Sequence, residues 1–81
     1  MIQIKNTELI HLLNALDNQY SLITPLKSFG SQEAIETLKE HSYENARRAR
    51  TFAFNDVTLS KSVYDEITMK IDKQLKAILD I

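Results

Sequence analysis

Cysteine and tryptophan are absent from this chain of 81 residues, and glycine and proline occur once each. Without cysteine there is no disulfide, no thiolate nucleophile and no cysteine-ligated zinc, and small secreted domains usually need such covalent staples. We therefore expect a protein of the reducing cytoplasm. A single glycine cannot build a phosphate-binding glycine-rich loop, so nucleotide-driven chemistry is not expected.

Long apolar runs and a strong net charge are also missing. No segment approaches the roughly 20 apolar residues of a membrane span, and the N-terminus lacks the pattern of an export signal. The formal net charge is −1, so the molecule as a whole lacks the positive field that non-specific nucleic-acid binding requires. We expect a soluble protein without a membrane partner, whose basic surface is confined to a local patch.

The remaining sequence divides into three long segments with helical periodicity, because apolar residues recur every three or four positions. The first stripe comprises Leu9, Leu13, Leu16, Tyr20 and Ile23, widened by Ile10 and Leu12; the second Ile35, Leu38, Ser42, Ala46, Ala49 and Phe52 or Ala53; the third Val63, Ile67, Ile71, Leu75 and Ile78 or Leu79. These stripes predict an all-α fold, a three-helix antiparallel bundle that forms a single domain over residues 1–81. The small residues of the second stripe predict close approach of a neighbouring helix.

Polar caps and breakers predict the helix boundaries. Asn6 or Thr7 can cap the first helix, because a short side-chain oxygen accepts a first-turn N–H. Thr24 before Pro25 either ends this helix or caps a new turn, so we expect a kink or break and a short extra helical turn at about 25–29.

The second and third helices begin after similar signals. Gly30 is expected to close the short turn in the left-handed conformation, and Ser31 to cap a helix over about 32–53. The candidate caps for the third helix are Asn55, Asp56, Ser60 and Ser62. Opposite charges four residues apart on this helix, Lys61 and Asp65, Glu66 and Lys70, and Asp72 and Lys76, predict surface ion pairs. Ile2 and Ile4 are expected to pack as an N-terminal arm.

Candidate catalytic and metal-binding groups are few. The two histidines, His11 and His41, lie outside any nucleophile motif. The spacings of Glu8 with His11 and of His41 with Glu44 occur in helical carboxylate-bridged metal sites, but such sites also draw carboxylates from other helices. We therefore expect no enzymatic activity, no catalytic residue, no cofactor and no metal.

One basic and aromatic cluster predicts a partner-binding surface. It comprises Tyr43, Arg47, Arg48, Arg50 and Phe54 on the second helix. Aromatic residues and arginine are the types enriched at the energetic centres of protein interfaces. The cluster is also consistent with a plain solvated face, since a glutamate lies three and four residues before the first two arginines and should pair with them.

These features predict a helical protein-interaction module, an adaptor or inhibitor that modulates a larger protein by binding its surface. We expect it to form a homodimer through helix faces, and its size fits the small proteins of phages and other mobile elements. The alternative is a nucleic-acid-binding transcriptional regulator that uses Arg47, Arg48 and Arg50 on phosphates. A helix-turn-helix is disfavoured, because acidic Glu33 and Glu36 open the helix that would enter the major groove.

Overall fold

Four helices make up most of the protein in a computed structural model, which describes residues 4–81. They are α1 (Thr7–Ser21), α2 (Ile23–Phe29), α3 (Gln32–Asn55) and α4 (Lys61–Leu79), and residues 4–81 contain no strand. The three long helices α1, α3 and α4 all contact one another, whereas α2 contacts mainly α1. The predicted all-α three-helix bundle with a short extra helix is therefore confirmed.

The contacts between helices show their directions. Ile10 and Ile67 line the same groove, and Asp17 contacts Gln74 seven residues further along each helix, so α1 and α4 run in parallel. Only residues 56–60 join α3 to α4, and the two helices pack side by side. The connection is too short for anything but an antiparallel pair, so α3 runs opposite to both neighbours.

The core follows the three predicted stripes. Its buried apolar residues are Leu9, Leu12 and Leu16 of α1; Leu38, Ala46, Ala49 and Ala53 of α3; and Ile67, Ile71, Leu75 and Ile78 of α4. Leu13 is only half-buried, and Tyr20 and Leu79 are exposed near the end of the bundle where α1 gives way to α2. The buried apolar residues thus lie on the inner side of each long helix. No helix within residues 4–81 could cross a membrane.

Side-chain caps define the starts of the long helices. The side-chain oxygens of Asn6, Ser31 and Ser60 accept hydrogen bonds from backbone N–H groups three residues on, at 3.1, 3.1 and 3.3 Å. Of the candidate caps, Asn6 therefore caps α1 and Ser60 caps α4. Asp56 instead follows α3, where its carboxylate accepts hydrogen bonds from the Oγ–H and N–H of Thr58, and these lower the pKa of Asp56.

The expected kink lies slightly before the proline. α1 ends at Ser21, Leu22 keeps a near-helical backbone (φ −81°, ψ −8°), and α2 begins at Ile23. Pro25 is therefore the third residue of α2, where its missing N–H falls among first-turn groups that have no partner within the helix. The chain bends here and does not break.

The left-handed conformation predicted for Gly30 is wrong, because this residue is extended (φ −78°, ψ 145°). The need for glycine is one of space. A Cβ at this position would lie 2.6 Å from the carbonyl oxygen of Leu26, which accepts the N–H of Gly30 at 2.9 Å. The carbonyl cannot move away without lengthening that hydrogen bond, so a side chain would disturb the end of α2.

The N-terminal arm is described only in part. Ile4 packs against the core, as predicted. Ile2, the other residue assigned to the arm, lies outside the described residues.

Candidate interaction face on α3 and α4

Tyr43, Arg47, Arg50 and Phe54 lie along one side of α3. Their spacings of four, three and four residues place them within about 60° of one another on a helix that turns about 100° per residue. The side chain of Phe54 is 77% exposed and that of Tyr43 is 55% exposed. The two arginines between them are exposed as well. We call these four residues the α3 strip.

Arg48, the fifth residue of the predicted partner-binding cluster, lies apart from the strip. One step along the helix turns it about 100° beyond Arg47, toward the side of α3 that faces away from α4. Its charge acts on Glu44, helping to lower the pKa of that carboxyl. The structure therefore brings together four of the five predicted residues, and a partner bound to the strip would leave Arg48 at its margin.

Both strip arginines are paired with carboxylates. Arg47 donates two hydrogen bonds to Glu44, at 2.5 Å from Nη2 and 3.3 Å from Nε. These bonds lower the pKa of Glu44 and raise the pKa of Arg47. Arg50 forms an ion pair with Asp72 of α4. Each positive charge of the strip is therefore balanced by a neighbouring carboxylate.

Pairs between helices replace two of the three ion pairs predicted within α4. The pair of Lys61 with Asp65 forms, at 3.4 Å. Lys70 instead contacts Asp17 of α1 at 3.2 Å, and Asp72 contacts an arginine of the α3 strip. The other two pairs predicted within α4 are absent from residues 4–81 and are therefore wrong. The neighbouring helices offer partners that sequence spacing alone does not reveal.

Residues of α4 extend the strip sideways. Because α3 and α4 are antiparallel, the contact of Arg50 with Asp72 makes Tyr43, seven residues earlier, level with Leu79, seven residues later. Leu79 is 42% exposed. Lys76 lies four residues after Asp72 and three before Leu79, on the same side of α4. We call the α3 strip together with Asp72, Lys76 and Leu79 the α3–α4 face.

A shallow depression adjoins the end of this face near the α3–α4 connection. Its volume is about 330 Å³, and it is lined by Ala53, Phe54, Asp56, Leu59, Lys61 and Tyr64. Phe54 forms one wall and also stands out into solvent. A side chain of a partner protein could therefore enter this depression and contact the ring of Phe54.

The residues considered for a metal site are far apart. The contact between α1 and α3 sets their antiparallel register, which places Glu8 and His11 beside the C-terminal part of α3. His41 and Glu44 lie about 18 Å away along the bundle axis at 1.5 Å per residue. Within residues 4–81, no group of three or more His, Cys, Asp or Glu side chains could hold a metal ion.

Sequence reasoning missed a polar contact in the core. Gln74 is only 8% exposed, and its Nε2 donates a hydrogen bond of 2.6 Å to Oδ1 of Asp17. Its Oε1 and the Oγ of Ser42 are buried without a hydrogen-bond partner among residues 4–81. The signal was present, since Gln74 lies three residues after Ile71 and four before Ile78, on the inner side of α4.

Comparison of the chain with models of known protein families, with curated proteins and with solved structures finds no match. The function therefore has to be argued from the geometry. The α3–α4 face is the place where exposed rings and arginines come together, and these residue types are enriched at the centres of protein interfaces.

Proposed function

We propose that the protein is a helical interaction module, an adaptor or inhibitor that modulates a larger protein by binding its surface through the α3–α4 face. The main support is the exposure of Phe54 and Tyr43 on either side of two arginines that pair with carboxylates. Rings on a rigid helix bring apolar area to a contact at little cost in conformational entropy.

A protein partner is favoured over a nucleic acid because of the charges on this face. Arg47 bonds to Glu44 and Arg50 to Asp72, so a phosphate would have to displace a carboxylate at each arginine. Two carboxylates beside the binding groups would also repel the phosphate backbone. A protein surface, in contrast, can use the rings and complete the existing ion pairs.

The cellular setting is part of the same proposal. A chain with no cysteine suits a reducing compartment, so we place the protein in the cytoplasm. By size we group it with the small adaptor and inhibitor proteins of phages and other mobile elements. We assign it no catalytic role.

Affinity capture from the native host lysate tests the proposed face. The test variant combines Arg47→Glu with Phe54→Ala. The matched control combines Arg48→Glu with Phe29→Ala, which makes the same two chemical changes outside the strip; Phe29 is 91% exposed. We expect the wild type and the control to retain a common protein that the strip variant loses by about tenfold or more. If the strip variant retains every captured protein, the proposed face is wrong.

Salt dependence then separates a protein partner from a nucleic acid. For a phosphate-driven complex, the logarithm of the association constant falls with the logarithm of the salt concentration, with a slope of about −0.9 for each phosphate neutralised on duplex DNA. We expect a nearly flat dependence for the captured partner. A steep slope, with gel-shift activity that Arg47→Glu abolishes, would instead identify the regulator that uses the arginines on phosphates.

A further inference from the structure

We infer that α2 opens on its own while the three long helices stay packed, and that it acts as a lid at one end of the bundle. The first observation is its low burial. Within Ile23–Phe29 no side chain is buried, Ile23 and Leu26 are half-buried, and the ring of Phe29 is 91% exposed. Most helical stability in proteins comes from packing an apolar side against other elements. α2 therefore gains little stability from the bundle.

The backbone of α2 also provides little stability. The helix has seven residues, and isolated helices shorter than about 12–15 residues are marginal in water. Pro25 contributes no N–H to it, and Leu22 at its start makes no side-chain cap hydrogen bond among residues 4–81. The long helices, in contrast, begin after Asn6, Ser31 and Ser60, whose side chains each accept a backbone N–H. Capping therefore does not compensate for the weak packing of α2.

The hydrogen bonds of α1 do not continue regularly into α2. The N–H of Leu22 donates to the carbonyl of Gln19, three residues back, at 3.1 Å. The hydroxyl of Ser21 donates to the carbonyl of Asn18 at 2.6 Å, and a regular α-helix would give this carbonyl to the N–H of Leu22. Pro25 has no N–H to donate to the carbonyl of Ser21. Opening of α2 therefore leaves the hydrogen bonds of α1 intact.

A cleft of about 410 Å³ lies between α2 and the C-terminal end of α4. Its walls include Thr24 and Lys27 of α2 and Ala77 and Asp80 at the end of α4. Because α2 forms one wall, its opening widens the cleft and exposes Ala77, which is half-buried in the closed form. The closed and open forms of α2 thus control access to this end of the bundle.

Native-state hydrogen exchange, measured by NMR at increasing urea concentration, tests the local opening. Amides that exchange through local opening depend little on urea, whereas amides that exchange through global unfolding depend on it strongly. The N–H groups of Leu26 and Gly30 donate hydrogen bonds of 3.0 and 2.9 Å at the two ends of α2. We expect their protection to be at least about 100-fold lower than that of Ala46 in the core, and independent of urea. Equal protection, or the same urea dependence, overturns the inference.

Two matched variants separate local from global opening. Lys27→Gly in α2 and Arg48→Gly in α3 each replace an exposed basic residue with glycine, which disfavours a helix about fivefold. Lys27→Gly should speed exchange at Leu26 and Gly30 by about that factor. Arg48→Gly should speed exchange at Ala46 to a similar extent and leave exchange in α2 unchanged. If Arg48→Gly speeds exchange in α2 equally, α2 opens only with the whole fold and the inference is wrong.

A thiol in the cleft tests the role of α2 as a lid. The chain has no cysteine of its own, so Ala77→Cys provides a single reporter for alkylation. Adding Lys27→Gly should speed the alkylation about fivefold, whereas adding Arg48→Gly should leave its rate unchanged. Equal rates in all three proteins would show that α2 does not cover the cleft. None of these outcomes depends on partner binding by the α3–α4 face, so the lid and the proposed function can fail separately.

Discussion

The buried contact between Gln74 and Asp17 gives a sharp test of the core. In the variant Gln74→Glu the side chain keeps nearly the same size, so packing against the neighbouring isoleucines is preserved. The substitution replaces an N–H donor that lies 2.6 Å from Oδ1 of Asp17 with a carboxylate oxygen. It therefore places a second negative charge beside the first, at a side chain that is 8% exposed.

The expected cost follows from the burial of this charge. An uncompensated buried charge typically destabilises a protein by about 3–5 kcal/mol. Lys70 lies 3.2 Å from the same carboxylate of Asp17 and would offset part of this, so we expect a loss of about 2–4 kcal/mol at neutral pH. A chain of this length has a free energy of unfolding of about 4–12 kcal/mol, so the change is large enough to measure.

The loss should depend on pH in a defined direction. Burial and the neighbouring carboxylate both raise the pKa of the introduced carboxyl in the folded state above its unfolded value of about 4.3. The protonated form is therefore tolerated below that value, and stability is lost as the pH rises through the raised folded pKa. The deficit relative to wild type should be small near pH 4 and complete near pH 8, as measured by urea unfolding at each pH.

Gln74→Leu is the matched control. It removes the hydrogen bond to Asp17 but also the buried Oε1 that has no partner, and Asp17 keeps Lys70 and its access to water. We expect its stability to lie within about 1 kcal/mol of wild type at all pH values. A glutamate variant as stable as this control at pH 8, or a deficit that grows as the pH falls, would refute the reasoning.

Three further predictions concern α3 and the end of α2. Ala49→Leu adds three carbons where the side chain is fully buried and should lower the free energy of unfolding, measured with urea, by about 1–3 kcal/mol. Arg48→Leu, at the exposed neighbouring position, should change it by less than about 0.5 kcal/mol. Gly30→Ala places a Cβ 2.6 Å from a carbonyl oxygen and should lower the melting temperature and speed amide exchange at the end of α2. Arg47→Gln should move the pKa of Glu44 up toward 4.5 in an NMR titration, because the hydrogen bond that lowers it is lost. In the wild type, the stabilisation from this pair is present above about pH 4.5 and is lost as the pH falls through the lowered pKa of Glu44.

Most of the fold could be predicted because the long helices carry local signals that agree with the global packing. The spacings of four, four and three residues between Ile67, Ile71, Leu75 and Ile78 define the inner side of α4 without reference to any other helix. Capping is also local, since a serine or asparagine bonds to an N–H only three residues away. The choice of Ser60 among four candidates required the structure, because each of them could cap a helix in isolation.

The errors arise where the deciding contact is distant in sequence. Lys70 and Asp72 both have partners within α4 at the right spacing, yet each bonds to a different helix. Gln74 is polar, but its bond to Asp17 lets it lie inside. The need for glycine at position 30 comes from its close approach to Leu26 and not from a left-handed backbone, which the residue type alone does not reveal.

The candidate face was partly predictable for a similar reason. Helical spacing alone places Tyr43, Arg47, Arg50 and Phe54 on one side of α3 and Arg48 on another. Arg48 could therefore have been left out of the predicted binding cluster from the sequence. The pairing of Arg50 with Asp72 could not, because it depends on the register of α3 against α4. That pairing affects the electrostatics of the face, since it sets a carboxylate against one of the arginines.

The exposed rings of α3 lie beside its inner side and not on it. Its inner side consists mainly of alanine and serine, which are fully or almost fully buried and let a neighbouring backbone approach closely. Tyr43 and Phe54 lie to one side of these buried positions on the helix and remain at the surface. On the same flank, Arg50 reaches Asp72 of α4. The spacing of residues along α3 therefore separates an inner side that packs in the core from a flank that carries the exposed rings and the paired arginine, and the proposed contacts depend on this flank.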